Sequence, residues 1–187
     1  MSEKKIIAAI LVIIGILLII KPIAVNEKNG EEIIKNWLFS YYHITNYIDV
    51  SNEKVYQTKD IDAIITLKNG EKRTIEIKTD TTDTGNLFYE TISNEKHNTL
   101  GCLEKTEADI VLYLFLKTDE LFILKMPDFR IWFHHVLSNE EIVKTEKRIK
   151  NKNRDGSIYY SLGYPVSKKA IQSHPFCVVK KNIKNIP

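Results

Sequence analysis

The chain has 187 residues, 43% hydrophobic and 27% charged; beyond its distinct N-terminal two dozen, the remainder suits one domain with a single core and is too small for two. A formal net charge of +3 excludes a strong global basic field, so any polyanion contact must come from local clusters. Cys102 and Cys177 have no CxxC spacing, which argues against a zinc knuckle or a disulfide scaffold and leaves two reduced core residues.

Residues 6–20 are an unbroken apolar run, extended past Lys21-Pro22 by Ile23, Ala24 and Val25. About twenty such residues, at roughly 1.5 Å rise each, match a bilayer core, so residues 1–25 are predicted to be a transmembrane anchor. A cleaved export signal and a buried or interfacial helix are the rival readings; the absence of an Ala-x-Ala pattern after the run counts against cleavage. Lys4 and Lys5 flank one end, and Lys21, Lys28 and Lys35 flank the other, a balance that slightly favours a single-pass protein with its C-terminal domain in the cytoplasm.

Residues 26–30 read as a polar linker, and residues 31–187 as one domain. Ile33, Ile34, Trp37, Leu38 and Tyr41 recur at helical spacing and predict a helix over 31–42. Runs rich in β-branched and aromatic residues predict strands at 55–57, 60–67, 73–79, 86–92, 110–116 and 121–124. A helix is expected from Pro127 through Phe129, Trp132, Phe133 and Val136; the adjacent His134 and His135 point about 100° apart on it and read as helix-face residues. Residues 140–153 read as a lysine-rich amphipathic or loosely ordered stretch, followed by one strand after Ile158 and a short helix near 168–172. The fold class expected is α/β, a mixed central β-sheet flanked by helices.

The stretch from Lys59 to Lys78 carries the chemistry. A two-residue Asn69-Gly70 turn would mix apolar and charged positions on both faces of a hairpin. A three-residue Lys68-Asn69-Gly70 loop pairs Asp62 with Glu76, Asp60 with Lys78, Ile61 with Ile77 and Ala63 with Ile75, leaving one face apolar. That register sets Asp62 beside Glu76, their Cβ atoms about 5 Å apart. Opposed carboxylates repel, and Mg²⁺ or Mn²⁺, which prefers oxygen ligands, is the economical compensation. Lys78 follows on the same face, where its ammonium can orient a water and stabilise phosphorane charge, or its neutral amine deprotonate that water. The bland alternative is an exposed hairpin whose carboxylates pair with nearby lysines.

A helix at 31–42, then Asp62, then Glu76-Ile77-Lys78, resembles the PD-(D/E)XK (restriction-endonuclease-like) nuclease superfamily. Segments 85–90 and 101–110 are similar to those of its phage and prokaryotic members, and the resemblance covers roughly residues 31 to 135. It implies a Mg-dependent endonuclease-type phosphodiester hydrolase acting on DNA, with Asp62 and Glu76 holding metal through their side chains, Ile77 through its carbonyl, and Lys78 as the catalytic lysine. It also offers Glu31 or Glu32 as the first-helix acid of some members. The strict Pro-Asp pair is replaced here by Ile61-Asp62, which leaves the subfamily open.

Asp60 is a further candidate carboxylate, with a salt bridge to Lys59 or Lys78 as the alternative. Glu90, in an otherwise apolar and aromatic strand, is a candidate for holding the metal, Lys78 or a substrate-facing loop, with an edge-strand surface acid as the alternative. Residues 79–84 offer hydroxyls and amides that suit phosphates, or else form a solvated loop. Lys144, Lys147, Arg148, Lys150, Lys152 and Arg154 are the densest basic cluster, expected to meet nucleic acid, with anionic lipid and a plain solvated face as alternatives. The rival from another class is a catalytically inactive, membrane-tethered module that binds nucleic acid or protein. Expected partners are DNA and a membrane, with a homodimer left open.

Overall fold

The structure, a computed structural model, describes residues 27–138, 140–153 and 155–184. The anchor expected at 1–25 lies outside the described residues, as do Asn26 and Arg154. Among the described residues no helix is long and apolar enough to cross a membrane.

Helix α1, Glu27–Ser40, begins four residues before the expected start, so most of the expected linker is helical. Gly30 is unusual in a helix interior, and packing explains it: a Cβ there would collide with the Thr79 side chain, so glycine lets α1 lie close against the neighbouring strand. Ile34, Trp37 and Leu38, all at most 3% exposed, form the buried stripe that anchors α1, each contributing about 1.5–3 kcal/mol by burial.

Strand β1, Asn46–Asp49, precedes a turn closed by Ser51, whose backbone N–H and hydroxyl both donate to Asp49 Oδ1. Residues Lys54–Gln57 then form a short helix, α2, where a strand was expected. Gln57 donates from Nε2 to the Ser51 carbonyl, one of the local bonds by which polar side chains compete with strand pairing here. Strand β2, Ala63–Thr66, and β3, Lys72–Asp80, follow in the expected register, with Ala63 opposite Ile75 and Thr66 opposite Lys72. The three-residue loop is present: Leu67 donates to the Glu71 carbonyl, and Gly70 takes a φ of +83°, which glycine adopts without steric cost.

Next come β4, Asn86–Asn94, a 3₁₀ turn, the short β5, Thr99–Leu100, and α3, Cys102–Lys105. Strands β6, Ile110–Phe115, and β7, Glu120–Lys125, lead to α4, Asp128–Leu137, which matches the helix expected from Pro127. Beyond α5, Glu140–Val143, the lysine-rich stretch is an edge strand, β8, Lys147–Lys152, paired antiparallel with β9, Ile158–Ser167. Cross-strand bonding overrides the weak strand preference of lysine, and charged edges resist further pairing. Helix α6, Lys168–Gln172, and β10, Cys177–Lys181, complete the sequence of elements.

Two sheets result. A six-stranded mixed sheet has the order β1-β2-β3-β6-β7-β10, with β3 and β6 parallel, and a four-stranded antiparallel sheet has the order β5-β4-β9-β8. The single central sheet expected from sequence is thus joined by a second sheet. On one face of the mixed sheet, Ile65, Ile75, Ile77, Leu112 and Leu114 pack with the α1 stripe. On the other face, Val111, Tyr113, Phe115 and Phe122 pack with Leu87, Tyr89, Tyr164, Phe129 and Phe133 from β4, β9 and α4. The mixed sheet is therefore the middle layer of an α/β domain.

Candidate active site

β3 alternates across this middle layer, sending Ile75 and Ile77 toward α1 and Glu76 and Lys78 toward the layer of β4 and α3. The β2–β3 ladder ends at Ala63–Ile75, and there Asp62 takes over part of the next pairing with its side chain. Its backbone N–H donates to the Ile75 carbonyl at 2.9 Å, and its Oδ2 accepts from the Ile77 N–H at 2.8 Å. Because a residue's N–H and C=O leave a strand on the same side, the Ile77 carbonyl faces the space that β2 vacates. That space is a polar cavity of about 220 Å³ lined by Glu31, Asp62, Glu76, Ile77, Lys78 and Thr79.

Glu76 is only 5% exposed, unusual burial for a carboxylate. Cys102 Sγ donates to its Oε1 at 3.1 Å, and Lys78 Nζ lies 3.5 Å from the same oxygen. Burial, aided by the Asp62 charge, pushes the Glu76 carboxyl up to about 8 against the opposing pull of Lys78. Burial works to lower Lys78, yet its neighbours Cys102, Glu76, Glu90 and Asp62 together carry it above the usual lysine range. Burial also raises Cys102, opposed by Lys78, so the thiol is held as a donor.

A second cavity, of about 160 Å³, opens on the other side of Lys78 and is lined by Phe88, Glu90, Cys102, Leu103 and Tyr113 as well. Glu90 thus faces the cleft beside Lys78, and burial raises its carboxyl, with Ser161 as a hydrogen-bond partner that opposes the rise. Gly101 holds α3 against this wall, since a Cβ there would collide with the Glu90 carbonyl.

Of the sequence candidates, Asp62, Glu76, Ile77, Lys78 and Glu31 come together in one cavity, and Glu90 lies across Lys78 from them. Glu32 is exposed and is not among the residues lining it. Asp60 departs from the expected pairing with Lys78. Its φ of +45° turns the chain out of the strand, and it pairs instead with Lys105 at 2.8 Å. His134 sits on the α4 face as expected, 2.9 Å from Glu104. Lys147, Arg148 and Lys150 lie on β8, and Lys144 just precedes it.

Cys102 was expected only to fill the core, and nothing in its spacing signals its contact with Glu76, 26 residues away. Thr79, at the head of the expected loop, lines the cavity as part of β3.

A divalent cation suits this donor set. Two carboxylates and a carbonyl line the one cavity. Among the described residues no three His, Cys, Asp or Glu side chains gather as a metal cluster. Oxygen donors of this kind could hold Mg²⁺ or Mn²⁺, which use one or two carboxylates and keep several waters. No family model matches the sequence, and no curated protein and no solved structure matches the chain.

Proposed function

We propose that the chain is a divalent-metal-dependent nuclease of the PD-(D/E)XK type that hydrolyses phosphodiester bonds in DNA. The observation that carries this reading is the convergence of Asp62, nearly buried Glu76, the Ile77 carbonyl and Lys78 on one polar cavity. The order of helix, Asp-bearing hairpin, Glu-x-Lys strand, further strands and helix supports a restriction-endonuclease-like core.

Asp62, Glu76 and the Ile77 carbonyl would hold the cation, with Glu31 at the first-helix side of the cavity. Bound there, Mg²⁺ or Mn²⁺ would supply charge stabilisation at phosphorus and a more acidic water. Lys78 presents an ammonium on the same strand face, where it orients the attacking water and offsets charge developing on the phosphoryl oxygens. Cys102 holds Glu76 in place through its hydrogen bond. Glu90 and Glu76 confine Lys78 from two sides.

The reading includes a single-pass anchor at residues 1–25 with the nuclease domain on the cytoplasmic side. Membrane fractionation and protease protection of the domain in vesicles test this independently of the chemistry. The activity itself is tested by incubating plasmid, linear and single-stranded DNA with the full chain, with Mg²⁺, Mn²⁺ or chelator. Metal-dependent cutting that Asp62→Asn abolishes is the expected result. Cutting that persists in chelator would overturn the metal mechanism, and absence of cutting on every substrate, RNA included, would move the reading to a catalytically inactive binding module.

A further inference from the structure

The basic cluster on β8 is divided between two faces of the four-stranded sheet, and only one of them continues the wall of the cleft. Directly opposed residues in an antiparallel pair share a face, so Glu90, Gly163 and Lys147 form one row across β4, β9 and β8. Two independent contacts confirm this. A Cβ on Gly163 would run into the Phe88 ring, two residues along β4 from Glu90, so Phe88, Glu90 and Gly163 share a face. Asn151 Nδ2 donates to Ser161 Oγ at 3.1 Å, and Ser161 in turn bonds Glu90, so a side-chain relay crosses the same three strands on that face.

Residues 148, 150 and 152 point the opposite way. Arg148 is engaged there, 2.7 Å from Glu95 and stacked 3.4 Å from the centre of the Tyr160 ring. Lys147 is exposed, and among the described residues no ion pair engages it.

We propose that Lys147, alone among the β8 cations Lys147, Arg148, Lys150 and Lys152, holds the phosphate backbone of the nucleic-acid strand that enters the cleft at Lys78. The inference rests on the nuclease reading and deepens it by assigning the track of the substrate. Two inter-strand steps of about 4.8 Å set Lys147 roughly 10 Å from Glu90 along the row. That distance covers about three nucleotides of a strand rising ~3.4 Å each. Gly163 is buried beneath the Phe88 ring, which takes the place its side chain would fill and offers an apolar surface to a sugar or base between the two. Phosphates at Lys78 and Lys147 with a nucleoside over Phe88 is the arrangement that follows.

The test is fluorescence anisotropy of a labelled DNA oligonucleotide with the full chain in chelator, where nothing is cut, over a salt series. Lys147→Ala is expected to weaken binding and to lower the slope of log affinity against log salt by about one, while Lys150→Ala on the opposite face changes neither. Equal losses from both variants would mark a diffuse charged or lipid-facing patch and overturn the assignment. An unchanged slope in Lys147→Ala, or no binding by the unaltered chain, would overturn it too. Because binding is read in chelator, each of these failures is separate from failure of the cleavage chemistry, which Asp62→Asn reports.

Discussion

Glu76 is held by neighbours that act on it in opposite directions: Lys78 and Cys102 favour its charge, while burial and Asp62 disfavour it. In the proposed site, a cation between the carboxylates would resolve this conflict, and each neighbour would have a separable effect. Lys78→Ala is expected to lower the cleavage rate by about 10²–10³-fold, as loss of one charge-stabilising donor does, with little change in the melting midpoint. A variant cutting at the normal rate in a steady-state assay would remove Lys78 from the mechanism. Cys102→Ser keeps a donor near Glu76 Oε1, whereas Cys102→Ala removes it. The alanine variant is expected to need about tenfold more Mn²⁺ for half-maximal cleavage, and the serine variant to stay near the unaltered chain. Matching requirements for both variants would reduce Cys102 to a core residue.

At the scale of elements, close packing against β3 and β4 fixes the site. Gly101→Ala would press a methyl group into the Glu90 carbonyl, backbone that cannot swing aside, and displace α3 together with Cys102. Thermal denaturation should show a loss of about 1–3 kcal/mol, and an unchanged midpoint would mean that α3 is loosely placed. The β2–β3 hairpin was legible because side-chain period and the glycine of a three-residue loop both selected one register. α4 was legible too, from helical spacing and from Pro127, which the structure sets at its N-cap. Residues 54–57 and 147–152 were misread for opposite reasons. In the first, local hydrogen bonds around Ser51 and Gln57 replaced a ladder that β-branched composition suggested. In the second, pairing with β9 made a strand of a lysine-rich stretch with little strand preference of its own. Contacts such as Cys102 with Glu76 and Lys105 with Asp60 depend on where α3 docks, which no short-range pattern encodes.

Across the whole molecule, an ion cluster around buried Lys168 ties α6 to the loop after β3 and to β7. Lys168, 8% exposed, lies 3.0 Å from Asp83 and 2.9 Å from Glu120, with its ammonium 3.7 Å from the centre of the Phe115 ring. The Gly85 amide, then Lys168, holds the Asp83 carboxyl below the usual carboxylate range, and hydrogen bonding to Lys168 does the same for Glu120. Carboxyls depressed in the folded state stabilise it fully above their ordinary range, and this contribution is lost as pH falls through that range toward the folded values. Urea unfolding should therefore show stability declining below about pH 4, the ordinary carboxylate range. Lys168→Met is expected to be less stable at neutral pH and to lose less on acidification; an identical acid dependence would assign the decline to other carboxylates.

The central claim, that Asp62 and Glu76 share one divalent cation, is tested most directly by electron paramagnetic resonance titration of the full chain with Mn²⁺. The unaltered chain should bind one Mn²⁺ at this site, and Asp62→Asn and Glu76→Gln should each lose that binding while keeping the circular dichroism spectrum of the fold. Equal Mn²⁺ binding by both variants and the unaltered chain would contradict the account, because the carboxylates it rests on would then hold no metal.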